Sequence, residues 1–376
     1  MQSLNRVLFV GCAAAVALAA CGSDDDTTAP TDAARATAAS PTTSMPPEVT
    51  SSPSTAPSTS TDAPATSPSA TTSSTTSAPA EKVALTVGVP FGVVPISALG
   101  SLDADPELVD VANVTEQSIA TPDQLRTGFI AGDLDVAVVP TNIGAALSNR
   151  DVDVRLLSII DAQLLRVLGP AGATWTDLAG ATIDIPFQGD IADIVFRDLA
   201  AANGVDLDTV DIRYGTALPD LIGAAATGNV SFAVLPEHFA SAAATQAGAN
   251  GHDLVPIIDL QAAWSDDTGG DRLPQIALIA TGALVDARPD VVAALRNAVE
   301  RAIRHTAEDP EGAAATLAAE TGLPQPLLAT VVPGLDMETR STDDAAADLD
   351  VFFADINSSN PETLGGGLPS PGFYAP

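Results

Sequence analysis

The sequence predicts an α/β protein: two similar α/β lobes around a ligand cleft, preceded by a disordered linker. Three observations carry this. From Val83 onward, short β-rich apolar runs alternate with helical segments and are punctuated by Gly, Pro and Asp, the pattern of buried parallel strands with helices between them. The phrase DVAVVPTNIGAA at 135–146 returns as SFAVLPEHFASA at 231–242, an offset of 96 residues between the prolines. The same 96-residue offset relates TVGVPF at 86–91 to TIDIPF at 182–187, and Leu125 to Leu221. Strand-to-helix junctions of any α/β unit look alike, but two separate strand ends repeating in one register favour two lobes of roughly ninety residues each.

The first residues, MQSLNRVLFVGCAAAVALAAC, set a basic Arg6 before an apolar stretch and small residues, which reads as a secretory signal over 1–20. The stretch is short for a membrane span. Its end, Leu18-Ala19-Ala20-Cys21, resembles the lipobox of bacterial lipoproteins, which implies lipidation at Cys21 and a lipid anchor. The other cysteine, Cys12, lies inside the signal, so the mature chain is expected to have no disulfide or thiol chemistry. Residues 21–80 are Ser, Thr, Pro and Ala with short acidic clusters and almost no large apolar side chain, so they are expected to be disordered. As a flexible coil this linker reaches roughly 40 to 50 Å. The net charge of −33, with Lys82 the only lysine, argues against nucleic acid and anionic membrane surfaces as partners. The acids are scattered rather than blocked, as on a solubilising surface.

The elements of the globular part follow in order. Residues 81–166 form the N-terminal part of lobe 1: VALTVGV, ISALGSL, LVDVANV, TPDQLRTGFIAG, LDVAVV, TNIGAALSN and DVRLLSII. Lobe 2, residues 167–273, repeats the order with ATIDIPF, DIADIVFRDLAAANG, VDIRY, LPDLIGAAATG, SFAVL, EHFASAAATQAG and LVPII. Residues 274–376 return to lobe 1 with a helical tail, in which Val291, Val292, Leu295, Val299 and Ile303 recur at helical spacing; a further helix is expected over 345–356. The crossings between lobes fall near 164–169 and 274–280.

Ligands of open α/β sheets sit beyond the carboxyl ends of the strands. That selects Phe91, Gly92, Thr141 and Asn142 from lobe 1, and Phe187, Gln188, Gly189, Asp190, Glu237 and His238 from lobe 2. Gly92 and Gly189 permit close backbone approach. Thr141 and Asn142 open a helix whose N–H groups suit an anion, or one of them simply caps that helix. Phe91 and Phe187 can sandwich a flat or aliphatic solute, or fill the core. Asp190, Asp193 and Glu237 make the second rim acidic, which favours an amine over an anion, although acids also collect in a first helical turn because of the dipole. Gln163 and Gln275 are amides beside the crossings that can orient a ligand.

The phrases VALTVGVPFG, GDLDVAVVPTNIGAALSN, DLAGATIDIPFQGDIADIVFRDLAAANGVD, DLQAAWSDDTGGDRLPQIALI and LGGGLPSPGFY span almost all of 83–374. In this order they resemble the extracytoplasmic substrate-binding proteins of ABC importers, of the type II periplasmic-binding-protein class that includes aliphatic-sulfonate, taurine, nitrate and thiamine-precursor binders. The resemblance implies a monomeric receptor that captures a small organic solute between hinged lobes and delivers it to an ABC permease, with no cofactor and no catalysis. Two other readings stand beside it. The fold resemblance also reaches pyrimidine synthases and menaquinone-pathway dehydratases, and His238 with Glu237 is one possible acid/base pair. His238, His252 and His305 show no metal spacing. A sensory or docking lipoprotein is the third reading; its SDDTGGDR loop at 265–272 lacks the alternating acids of a calcium loop.

Overall fold

The computed structural model describes residues 81–90, 102–215 and 217–375. The signal, Cys21, the linker and the candidate residues Phe91 and Gly92 lie outside them. Eleven strands occur among the described residues: β1 Val83–Pro90, β2 Ala112–Ile119, β3 Val136–Pro140, β4 Val154–Asp161, β5 Leu165–Gly169, β6 Thr182–Asp184, β7 Asp211–Arg213, β8 Phe232–Pro236, β9 Val255–Asp259, β10 Ile276–Thr281 and β11 Glu338–Ser341. The helices are α1 Leu108–Val111, α2 Pro122–Ala131, α3 Thr141–Asn149, α4 Ile191–Ala202, α5 Leu218–Ala226, α6 Glu237–Ala249, α7 Leu260–Thr268, α8 Gly282–Ala287, α9 Pro289–Glu308, α10 Pro310–Thr321, α11 Gln325–Val331 and α12 Ala346–Ser359. None of them is long and apolar enough to cross a membrane.

The strands form two sheets. The first has the order β11-β4-β10-β3-β1-β2 and the second β7-β6-β8-β5-β9. The 96-residue echo survives in the pairing itself. Val87 faces Val136 between β1 and β3, and Ile183 faces Phe232 between β6 and β8. Thr86 faces Thr115, and Thr182 faces Asp211. Each of these second-lobe residues stands 96 after its first-lobe counterpart. The lobes thus share one strand register as well as one fold.

The expectation of parallel strands throughout is corrected. β1, β2 and β3 are mutually parallel, as are β6, β7 and β8, but β10 runs antiparallel to β3 and β4, and β5 antiparallel to β8 and β9. The reason is the crossing. A strand that enters from the other lobe starts at the cleft, where its parallel neighbours end, so it must run the opposite way. Leu165 accordingly pairs with Pro236, and Ile276 with Pro140.

The strand interiors are apolar on both faces because helices cover both sides. Val136, Ala137, Val138 and Val139 of β3 and Ala233, Val234 and Leu235 of β8 are all buried. The stripe on α9 is buried at every expected position, Val291, Val292, Leu295, Val299 and Ile303. The tail reaches further than a return to lobe 1. α9 packs near α1 and β4 of that lobe, but α11 packs on α6 and α12 on α4, both in the second. Phe352 and Phe353 of α12 share an apolar cluster with Phe196 of α4 and Trp264 of α7.

That junction also concentrates acid. Asp198 on α4 has its carboxyl pushed up to about 6, by burial first and then by Asp355 on α12 and Asp267 on α7. A carboxyl whose folded pKa is raised holds its proton longer in the folded than in the unfolded chain, so it weakens the fold as pH climbs from about 4 through about 6. Asp198→Asn is therefore expected to raise Tm at pH 7.5 and to leave it nearly unchanged at pH 4. Thermal melts at the two pH values check this.

Candidate functional site

β3 and β8 each end in proline, at φ/ψ of −56°/134° and −58°/142°, and α3 and α6 begin at the next residue without a side-chain cap. Proline cannot extend the ladder, so it closes the strand and turns the chain into the helix. The first helical N–H is met instead by the crossing segments. Thr141 N–H donates to Gln275 O at 3.1 Å, and Glu237 N–H donates to Leu164 O at 2.6 Å. The repeated junctions are thus wired to the two crossings in the same way. Gln275 and Leu164, and likewise Asn142 and His238, occupy equivalent places in the two lobes.

Between these junctions lies a cavity of about 130 Å³. Its first-lobe wall is Ile119, Ala120, Thr121, Leu125, Val138, Val139, Pro140 and Ile143; its second-lobe wall is Pro186, Phe187, Asp190, Ile191, Ala192, Leu218 and Pro236. Leu164, Leu165, Gln275 and Ile276 of the crossings form its floor. The surface is overwhelmingly aliphatic, with Phe187 the aromatic contribution and Gln275 and Asp190 the strongly polar ones.

Asn142 bridges the lobes: its Nδ2 donates to the Gly189 carbonyl at 3.4 Å. Gly189 has φ of 72°, the left-handed region that glycine adopts at least cost, and this turns its carbonyl toward lobe 1 and its N–H onto Asp193 at 2.8 Å. Thr141 and Asn142 are buried, and Thr141 Oγ1 and Asn142 Oδ1 have no hydrogen-bond partner among the described residues.

The acidic rim is largely consumed by the fold. Asp193 accepts from Arg197 Nε at 2.7 Å and from Tyr214 Oη at 2.8 Å. Glu237 pairs with Arg166, which also holds Asp259 at 2.7 Å, and accepts from Ser241 Oγ at 2.8 Å. Asp190 caps α4 through the Ile191 N–H at 2.8 Å while also lining the cavity; burial raises its pKa, as does Asp193, and the Ile191 bond and Arg126 oppose this. Among these acids, Asp190 is the one that lines the cavity.

The remaining candidates separate. Phe187 and Gln275 line the cavity; Gln163 donates its backbone N–H to Leu335 O at 2.7 Å and, with Gln188, stands outside the lining. Gln188 and Gly189 instead border a neighbouring groove with Arg197, Asp198 and Asn360. His238 is fully buried and packs against Phe239 with the rings tilted by 48° and 4.5 Å between centroids, so it does not face the cavity. The aliphatic wall at Ile119, Leu125, Leu164, Ile191 and Leu218 was not singled out by sequence reasoning. Leu125 and Leu221 carried the 96-residue echo, which marked the right helices without marking the wall.

Two α/β lobes of shared register, linked by paired crossings and enclosing a cavity at their strand ends, define the two-lobed fold of ABC-importer substrate-binding proteins. The fold is similar to that of an ABC transporter protein from Parabacteroides distasonis, at 20% identity and TM-score 0.64, covering 78% of this chain and 99% of that one. It is also similar to the alkanesulfonate-binding protein SsuA from Xanthomonas axonopodis pv. citri bound to MOPS (18% identity, TM-score 0.58, covering 73% and 94%). The periplasmic nitrate-binding protein NrtA from Synechocystis PCC 6803 shares it too, at 12% identity and TM-score 0.56, covering 76% and 84%. No curated protein sequence matches the chain. Residues 113–313, more than half of the sequence, match the NMT1/THI5-like family, and the chain belongs to that family.

Proposed function

We propose that this protein is an extracytoplasmic solute receptor, lipid-anchored through Cys21, that closes its two lobes on a small organic molecule and presents it to an ABC permease. The observation that carries the reading is the aliphatic cavity between the repeated proline junctions, floored by both crossings. Such a site couples ligand contact to lobe closure, because each wall belongs to a different lobe and both pivot on the same floor. The fold of the sulfonate- and nitrate-binding neighbours supports a binding role. The geometry favours binding over catalysis. The acid/base candidates Glu237 and His238 are an ion-paired carboxylate and a core residue.

A ligand that binds the folded form alone stabilises it by about 2.7 kcal/mol at one hundred times its Kd. For a domain of this size that corresponds to a rise in Tm of roughly 5 °C. Thermal melts against amines, amino acids, pyrimidines, sulfonates and nitrate are expected to show one class with a saturable rise. Equal melting temperatures across the panel would count against a receptor for these solutes.

A further inference from the structure

We propose that the solute held in the cleft is one that donates N–H hydrogen bonds and carries no net negative charge, a small amine with an apolar body, and that Gln275 and Asp190 select it. This rests on the receptor reading above and names the chemistry of its ligand.

Gln275 is 1% exposed and lines the cavity floor. Its amide orientation is fixed by the protein: Nε2 donates to Ala162 O at 3.1 Å, and a flip would set oxygen against oxygen. The atom left over is therefore an acceptor, Oε1, which is buried and has no partner among the described residues. Asn142, which stands outside the lining, has its Nδ2 committed to Gly189 O and its buried Oδ1 without a partner among the described residues. An unmet acceptor inside a protein destabilises it, and a donor supplied by a ligand removes that penalty.

The charge on the walls points the same way. Asp190 is the single ionisable residue lining the cavity, and no Lys, Arg or His lines it among the described residues. Residues 91–101, FGVVPISALGS, contain no cationic side chain either. Arg126, the cation that acts on Asp190, pairs through Nη1 with Asp123 at 3.0 Å, keeps a buried Nε without a partner among the described residues, and is not part of the wall. A sulfonate or nitrate offers acceptors only, and on this wall it would meet the Gln275 acceptor and the Asp190 carboxylate. A protonated or neutral amine satisfies Gln275 Oε1 and Asp190 while its hydrocarbon part covers Ile119, Leu125, Ile143 and Leu218.

The test is isothermal titration of the full chain with benzylamine and cyclohexylamine, against benzenesulfonate, ethanesulfonate and nitrate. Saturable binding of the amines is expected, with affinity falling ten-fold or more in Gln275→Met and again in Asp190→Asn. Asp190→Asn keeps an oxygen to cap α4, so it guards against a Gln275 variant that misfolds. Binding of the anions without the amines overturns the inference and leaves the receptor reading intact. Amine binding that neither folded variant weakens overturns the assignment of these residues. Absence of binding by both classes overturns the inference and also counts against the receptor reading.

Discussion

Arg340→Leu is expected to destabilise the protein by about 3–5 kcal/mol, the loss that follows when a buried charge is left without its partner. Arg340 on β11 binds Asp161 through Nε and Nη2, and donates to Asp348 through Nη1 at 2.8 Å. Asp161 is 1% exposed and Asp348 is 5% exposed, so neither carboxylate can turn to water. Burial pushes Asp161 up and the Arg340 guanidinium pulls it back. Asp348 does a second job. It accepts the Asp271 and Arg272 backbone N–H groups at 3.0 and 3.2 Å, which ties the returning crossing to the start of α12. Removing the guanidinium leaves two acids facing each other at the place where both lobes and the tail meet. Denaturant titration of Arg340→Leu checks the loss, and the double variant Arg340→Leu/Asp161→Leu is expected to recover part of it, because no buried charge is then left at position 161.

Ala192→Trp is expected to abolish ligand capture while leaving the fold in place. Ala192 lies in the first turn of α4, half-buried, with its side chain on the cavity wall. An indole there occupies most of a cavity of about 130 Å³. Because the position is not in the closed core, the ring has an outlet toward solvent, and the overpacking cost stays within about 1–3 kcal/mol. Affinity for the solute is expected to fall roughly 100-fold or more, equivalent to about 2.7 kcal/mol. Titration calorimetry reads the affinity and far-UV circular dichroism the fold.

How far the sequence reaches is clearest at the two prolines. Pro140 and Pro236 mark strand ends through local chemistry alone, since proline stops a ladder wherever it stands, and their spacing carried over intact into the pairing of β1 with β3 and β6 with β8. The stripe on α9 was legible for the same reason: helical periodicity is a local property. The antiparallel strands β5 and β10 were not legible, because an apolar run reads the same in either direction and only the crossing fixes which one is used. At the site, Phe187, Asp190 and Gln275 could be placed near the cleft from their positions after strand ends or beside a crossing. The fates of Glu237 and His238 could not. One is tied to Arg166, a residue with no sequence signal of its own, and the other packs on Phe239; both depend on partners that tertiary structure supplies. The bond from Asn142 to the other lobe likewise depends on the left-handed turn at Gly189, 47 residues away.

The central claim is that two lobes close on a solute, and the distance between them tests it most directly. Asp123 on α2 and Asp220 on α5 are exposed and stand on opposite lobes. With Cys12 and Cys21 replaced by serine and spin labels at Asp123→Cys and Asp220→Cys, pulsed electron resonance reads the separation with and without the solute that gives the largest thermal shift. A shorter and narrower distance distribution on adding the solute is the predicted result. An unchanged distribution at saturating solute would contradict closure.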